Sequence, residues 1–110
     1  MQIVRNDPRA ITRLFGTGLE DMDVLLTHVR RGSQYNIVCI AIRESDEVPL
    51  LIYKNAETGD RWARPVADFF SLREDGTRKW IWNRKADKIM SMIESALKSY
   101  NLGKSDRLSK

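Results

Sequence analysis

Hydrophobic and polar positions change their period along this chain, and the changes mark its elements. After Asp7, residues Ala10, Ile11 and Leu14 fall close to one face of a helix. Asp7 can cap free N–H groups, and Pro8 suits the first helical position, where no N–H is required. Gly16 and Gly18 end this helix after about two turns. Leu19–Asp23 is acidic and fits either a further helical turn or an approach to a strand.

The pattern then shortens towards a period of two. Val24–Arg30 predicts a strand and Arg31–Gln34 a turn. Tyr35–Arg43 is the clearest strand, with Tyr35, Ile37, Cys39 and Ala41 assigned to one face and Val38, Ile40 and Ile42 to the other. Glu44–Glu47 is an acidic loop, and Pro49 opens a strand over Leu50–Lys54. Asn55–Asp60 is a hairpin loop, and Arg61–Arg64 returns as a short strand. Pro65–Phe70 breaks the ladder as a turn or a single helical turn. Glu74–Gly76 signals another hairpin, and Arg78–Trp82 is the last strand. From Asn83, a fair N-cap, Ala86, Ile89, Met90, Ile93, Ala96, Leu97 and Tyr100 follow helical spacing. Arg84, Lys88, Ser91 and Ser95 occupy the opposite face, and Asn101 and Gly103 end the helix.

These elements predict a single α+β domain: a small antiparallel barrel or curled sheet over 25–82. Residues 1–24 form a helical addition, 83–101 a long amphipathic helix and 102–110 a mobile tail. The helix either packs on its own barrel or forms a two-fold interface in a homodimer.

Composition narrows the functions. The chain has 110 residues, 42% of them hydrophobic and 31% charged, enough for one ordinary core. No apolar run approaches the roughly 20 residues that span a bilayer, and MQIVRNDPRA lacks a signal-peptide pattern. A cytoplasmic location is expected. A single cysteine, Cys39, allows neither an internal disulfide nor a multi-cysteine metal site. No cofactor and no metal are expected. The net charge is +4, and residues 83–110, with 7 basic groups against 3 acidic ones, carry all of it. That bias fits either an ordinary solvated surface or an anionic partner.

Between His28 and Phe69 the residues follow an ordered pattern: H-V-R-R-G-S-x-Y from His28 to Tyr35, L-L-I-Y ending at Tyr53, and W-A-R-P-V-x-x-F from Trp62 to Phe69. This resembles a small domain family of unknown function found in bacteria and their phages. His28, Gly32, Tyr35, Tyr53, Trp62, Arg64, Pro65 and Phe69 stand at its matching positions. Leu26 stands where the family carries an aromatic residue. The resemblance covers about residues 25–70. It implies an SH3-like barrel and assigns no reaction, and the wording of the motifs is closer to phage-borne members. A phage-borne chain would act in the host cytoplasm.

Two groups of residues carry candidate chemistry. Strand alternation puts Trp62 and Arg64 on one face, and with His28, Arg30, Tyr35, Tyr53 and Phe69 they could line a site for a host protein or an anionic ligand. The alternative is that the rings are core edges covered by the Arg64 stem. The second group is Arg78, Lys79, Trp80, Trp82, Arg84 and Lys85, extended by Lys88. There, basic residues bracket two tryptophans in a manner suited to nucleic acid. Its alternative is that both tryptophans form the face on which the last helix packs. His28 lacks an evident nucleophile, and Cys39 fits a buried small hydrophobe. The expected activity is therefore non-catalytic binding, of the phage or prophage accessory kind. Nucleic-acid binding is the alternative, and a small enzyme using His28 ranks last.

Overall fold

A computed structural model describes residues 7–108, with side chains described at Asp7 and at 9–100. Helix α1 spans Pro8–Phe15, and Asp7 caps it by accepting from the Arg9 N–H at 3.0 Å. A 3-10 turn covers Leu19–Met22. Strands β1 (Leu25–His28), β2 (Gln34–Ile42), β3 (Pro49–Asn55) and β4 (Arg61–Pro65) follow. Helix α2 is the single turn Val66–Phe70, before β5 at Trp80–Trp82. A 3-10 turn at Arg84–Ala86 leads into α3, Asp87–Leu108.

The strands form one antiparallel sheet in the order β4-β3-β2-β1-β5. No pairing joins β4 to β5 among the described residues, so the sheet is open where a barrel would close. The architecture is α+β, as the sequence predicts. One face of the sheet carries Leu26, Tyr35, Ile37, Ile40 and Leu51, and it is covered by Phe15 of α1, Phe69 of α2 and Met90 and Ile93 of α3. Burying each such side chain contributes about 1.5–3 kcal/mol.

Several expectations change on contact with this structure. The β2–β3 register passes from Ile37↔Tyr53 to Cys39↔Ile52, so Val38 is an extra residue in a β-bulge. The bulge reverses the facing. Tyr35 and Ile37 point into the core, and after it Ile40 does, while Cys39 and Ala41 do not. Strict alternation places Cys39 and Ala41 with Tyr35. Cys39 is only half-buried. Burial, followed by the charge of Glu20, pushes its thiol pKa up against an opposing effect of Arg61. It is a protonated packing residue at neutral pH.

Residues 8–22, expected beside the core, supply Ile11, Phe15 and Leu19 to it. Helix α3 continues through Asn101 and Gly103, where the pattern predicts its end, and residues 109–110 of the expected tail lie outside the described residues. One internal glycine costs a helix about 1 kcal/mol, which the flanking residues can outweigh. Asn83 stands at the N-cap position but its side chain makes no capping bond. Instead its Oδ1 accepts from the Leu25 N–H at 3.0 Å and its Nδ2 donates to the Asp23 carbonyl at 2.8 Å, which pins the start of β1. The apolar face of α3 is used inside the chain: Met90, Ile93, Ala96, Leu97 and Tyr100 are all buried, as is Ala86 in the turn before it. Tyr100 Oη also donates to the Glu47 carbonyl at 2.6 Å, tying α3 to the β2–β3 loop.

Candidate functional site

The open side of the sheet brings His28, Tyr35, Tyr53, Arg64 and Phe69 together around one ring, Trp80. Cross-strand register explains this. Trp80 pairs with His28 across β5 and β1, while Tyr53 pairs with Ile37 and Trp62 across β2, β3 and β4. All of them lie on the core-facing side of the strands. Trp80 is 1% exposed. Phe69 stacks on it with centroids 5.3 Å apart, and His28, Tyr35 and Tyr53 meet it edge-to-face at 4.9, 5.4 and 5.5 Å. Such ring pairs add about 0.5–1.5 kcal/mol each beyond area burial.

Arg64 lies over this cluster. Its Cζ is 5.4 Å from the Trp80 centroid, its Nε donates to Tyr53 Oη at 3.2 Å, and its NH1 donates to Asp68. Asp68 also receives Lys79, whose Nζ is 3.6 Å away, so one carboxylate faces two cations and a positive charge remains. Burial disfavours the charge on Arg64, but the Tyr53 and Asp68 contacts outweigh it and hold the pKa above the ordinary arginine value. Beside Arg64 on β4, Trp62 is 54% exposed. The indole under the guanidinium is therefore Trp80, and Trp62 is the free one.

A tight turn fixes His28. Its N–H donates to the Ser33 carbonyl at 3.0 Å, the Gly32 N–H donates to its carbonyl at 2.7 Å, and its Nδ1 accepts from the Arg31 N–H at 3.2 Å. Gly32 has φ 72, which suits glycine. With Nδ1 accepting, the neutral ring carries its proton on Nε2. Burial, then the charges of Arg31, Arg64, Arg73 and Arg30, push the His28 pKa below its ordinary 6.5. His28 is thus a neutral N–H donor at neutral pH. On acidification the unfolded chain takes up this proton first, so folding stability falls as pH drops below 6.5 towards the depressed folded value. Thermal melts between about pH 7.5 and about pH 5.5 should show that loss, and His28→Gln should flatten it.

No family model, no curated protein and no solved structure matches this chain. The geometry has to carry the functional reading.

The expected contact residues divide accordingly. Trp62, Arg64 and half-buried His28 face the open side. Tyr35, Tyr53 and Phe69 are 7%, 5% and 2% exposed, so they are walls of the core and offer little contact surface. Tyr35 Oη is engaged with Ser33 Oγ at 3.1 Å. Arg30 is exposed and set apart, in an open groove of about 450 Å³ with Arg73, Glu74 and Asp75, where the opposite charges balance. The Arg78–Lys88 group loses its stacking rings. Trp80 is sealed, and half-buried Trp82 packs on Phe69 and Phe70 and donates its Nε1 to Asp87 at 3.0 Å. Arg78 lies over Trp82 at 5.1 Å and Lys79 faces Asp68, while Arg84 is exposed and unconnected to either ring. Lys85 faces Asp23 at 3.7 Å and, with Lys88, borders a groove lined by Met22, Ile89 and Met92. In the sequence Asp68 reads as one of several loop carboxylates; in the structure it is the counter-ion of Arg64. Its four-residue spacing from Arg64 was the available signal once Pro65–Phe70 is taken as a helical turn.

Proposed function

We propose that this protein is a non-catalytic binding module that engages an anionic segment of a host protein through Trp62 and Arg64 on β4, with His28 beside them. The phage or prophage setting rests on the motif resemblance. The observation that carries the reading is the pairing of a half-exposed indole with a guanidinium already held in place. Arg64 is fixed by Tyr53, Asp68 and Trp80, so it loses little freedom on contacting a ligand. Trp and Arg are also the residue types that most often anchor interfaces. An SH3-like, partly opened barrel is supported by the strand order, in which β5 returns beside β1, and by the helical turn between β4 and β5.

The test is capture of partners from host lysate, followed by titration of each identified partner against Trp62→Ala and Arg64→Lys. Each substitution should weaken binding at least about tenfold, equivalent to about 1.4 kcal/mol, with the melting temperature of Trp62→Ala unchanged. Arg84→Ala and Lys88→Ala should leave binding intact. Equal affinity of wild type and Trp62→Ala would reject the site.

A further inference from the structure

We infer that the outer edge of β4 receives an acidic, extended segment of the partner protein as a sixth strand. This rests on the binding reading above and specifies the form of the ligand. Strand β4 is at the end of the sheet, paired with β3 on one side only among the described residues. Its backbone phase follows from the hairpin. The Asn55 N–H donates to the Asp60 carbonyl at 2.8 Å, so these two residues form a hydrogen-bonded pair. Antiparallel alternation then makes Tyr53↔Trp62 and Leu51↔Arg64 hydrogen-bonded pairs, and Lys54↔Arg61 and Ile52↔Ala63 non-hydrogen-bonded ones. The N–H and C=O groups of Arg61 and Ala63 therefore point away from β3. Pro65 continues that series at a position where its missing N–H would face outward, the usual place for proline in a sheet. Arg61, Trp62 and Ala63 are all exposed, so nothing described covers this edge. Free edges of this kind are templates for strand addition.

Charge selects the occupant. Arg61 stands directly opposite Lys54, and like charges in that relation are destabilising. The carboxylate beside Arg61 is Glu20, at 4.0 Å. Glu or Asp on an added strand, next to Arg61, relieves this repulsion. On the other face Trp62 offers an apolar platform to the neighbouring residue. The matching ligand alternates acidic and apolar side chains along an extended backbone.

The probe is a peptide of about ten alternating Glu and Val residues, compared with the same peptide carrying Lys for Glu. Binding of the Glu peptide should slow amide exchange at Arg61 and Ala63 at least about tenfold. Ala63→Pro removes an outward N–H and no bond to β3, so it should fold and weaken the peptide by at least about tenfold. The exchange measurement on the unaltered protein stands even if that variant does not fold. Equal binding of the Lys peptide overturns the inference, as does protection of Arg61 and Ala63 that grows with protein concentration alone, which identifies a second copy as the occupant. If Trp62→Ala weakens the Glu peptide but Ala63→Pro does not, strand addition is wrong and the binding face stands. If neither variant matters, both fail.

Discussion

Trp80→Ala should lower the free energy of unfolding by about 3–5 kcal/mol, and Trp80→Phe by distinctly less. Trp80 is the ring on which Phe69, His28, Tyr35, Tyr53 and Arg64 converge, so its removal opens a cavity bordered by several elements. Phenylalanine keeps most of those contacts. It also removes the Trp80 Nε1–H, which is buried with no hydrogen-bond partner among the described residues. A buried donor left unpaired costs about 1–3 kcal/mol, which offsets part of the lost volume. Urea denaturation of the two variants gives the comparison. Equal losses for Ala and Phe would mean that the ring cluster does not hold the open side together.

Phe15→Ala should cost a similar amount, about 3–5 kcal/mol, with unfolding still a single transition. The side chain is 1% exposed and packs in the same core as Ile40, Val66 and Ile93. Helix α1 lies outside the span of the motif pattern, so its removal would be harmless if it were an appendage. A loss below about 1 kcal/mol, or a separate early transition, would show that residues 8–22 are not integral to the fold.

The strands and turns were legible because their signals are local. Glycines with positive φ at Gly32, Gly59 and Gly76 mark the turns that the sequence predicts. Asp7 and Pro8 announce α1 through capping chemistry alone. What escaped depends on non-local geometry. The bulge at Val38 leaves no mark in the run YNIVCIAIR, because residues on both faces are apolar, yet it decides that Ile40 and not Cys39 enters the core. Asn83 looks like a cap until β1 is seen beside it. Alternation does put Trp62 and Arg64 on one face, but the ring under the guanidinium comes from Trp80, on the far edge of the sheet in strand order. Likewise the choice between exposed and core tryptophans had no local answer. Trp62 and Trp80 are both flanked by arginine or lysine in sequence and both stand on end strands, and only the packing of Phe69, His28, Tyr35 and Tyr53 around Trp80 separates the sealed ring from the exposed one.

The three tryptophans provide the most direct measurement, because each indole N–H reports one environment. In a 15N-edited NMR titration with the Glu–Val peptide and, separately, a single-stranded oligonucleotide, the Trp62 indole signal should move with the peptide while Trp82 stays still under both. Movement of Trp82 with the oligonucleotide, with Trp62 unmoved by the peptide, would contradict the β4 site and assign the binding to the basic segment before α3.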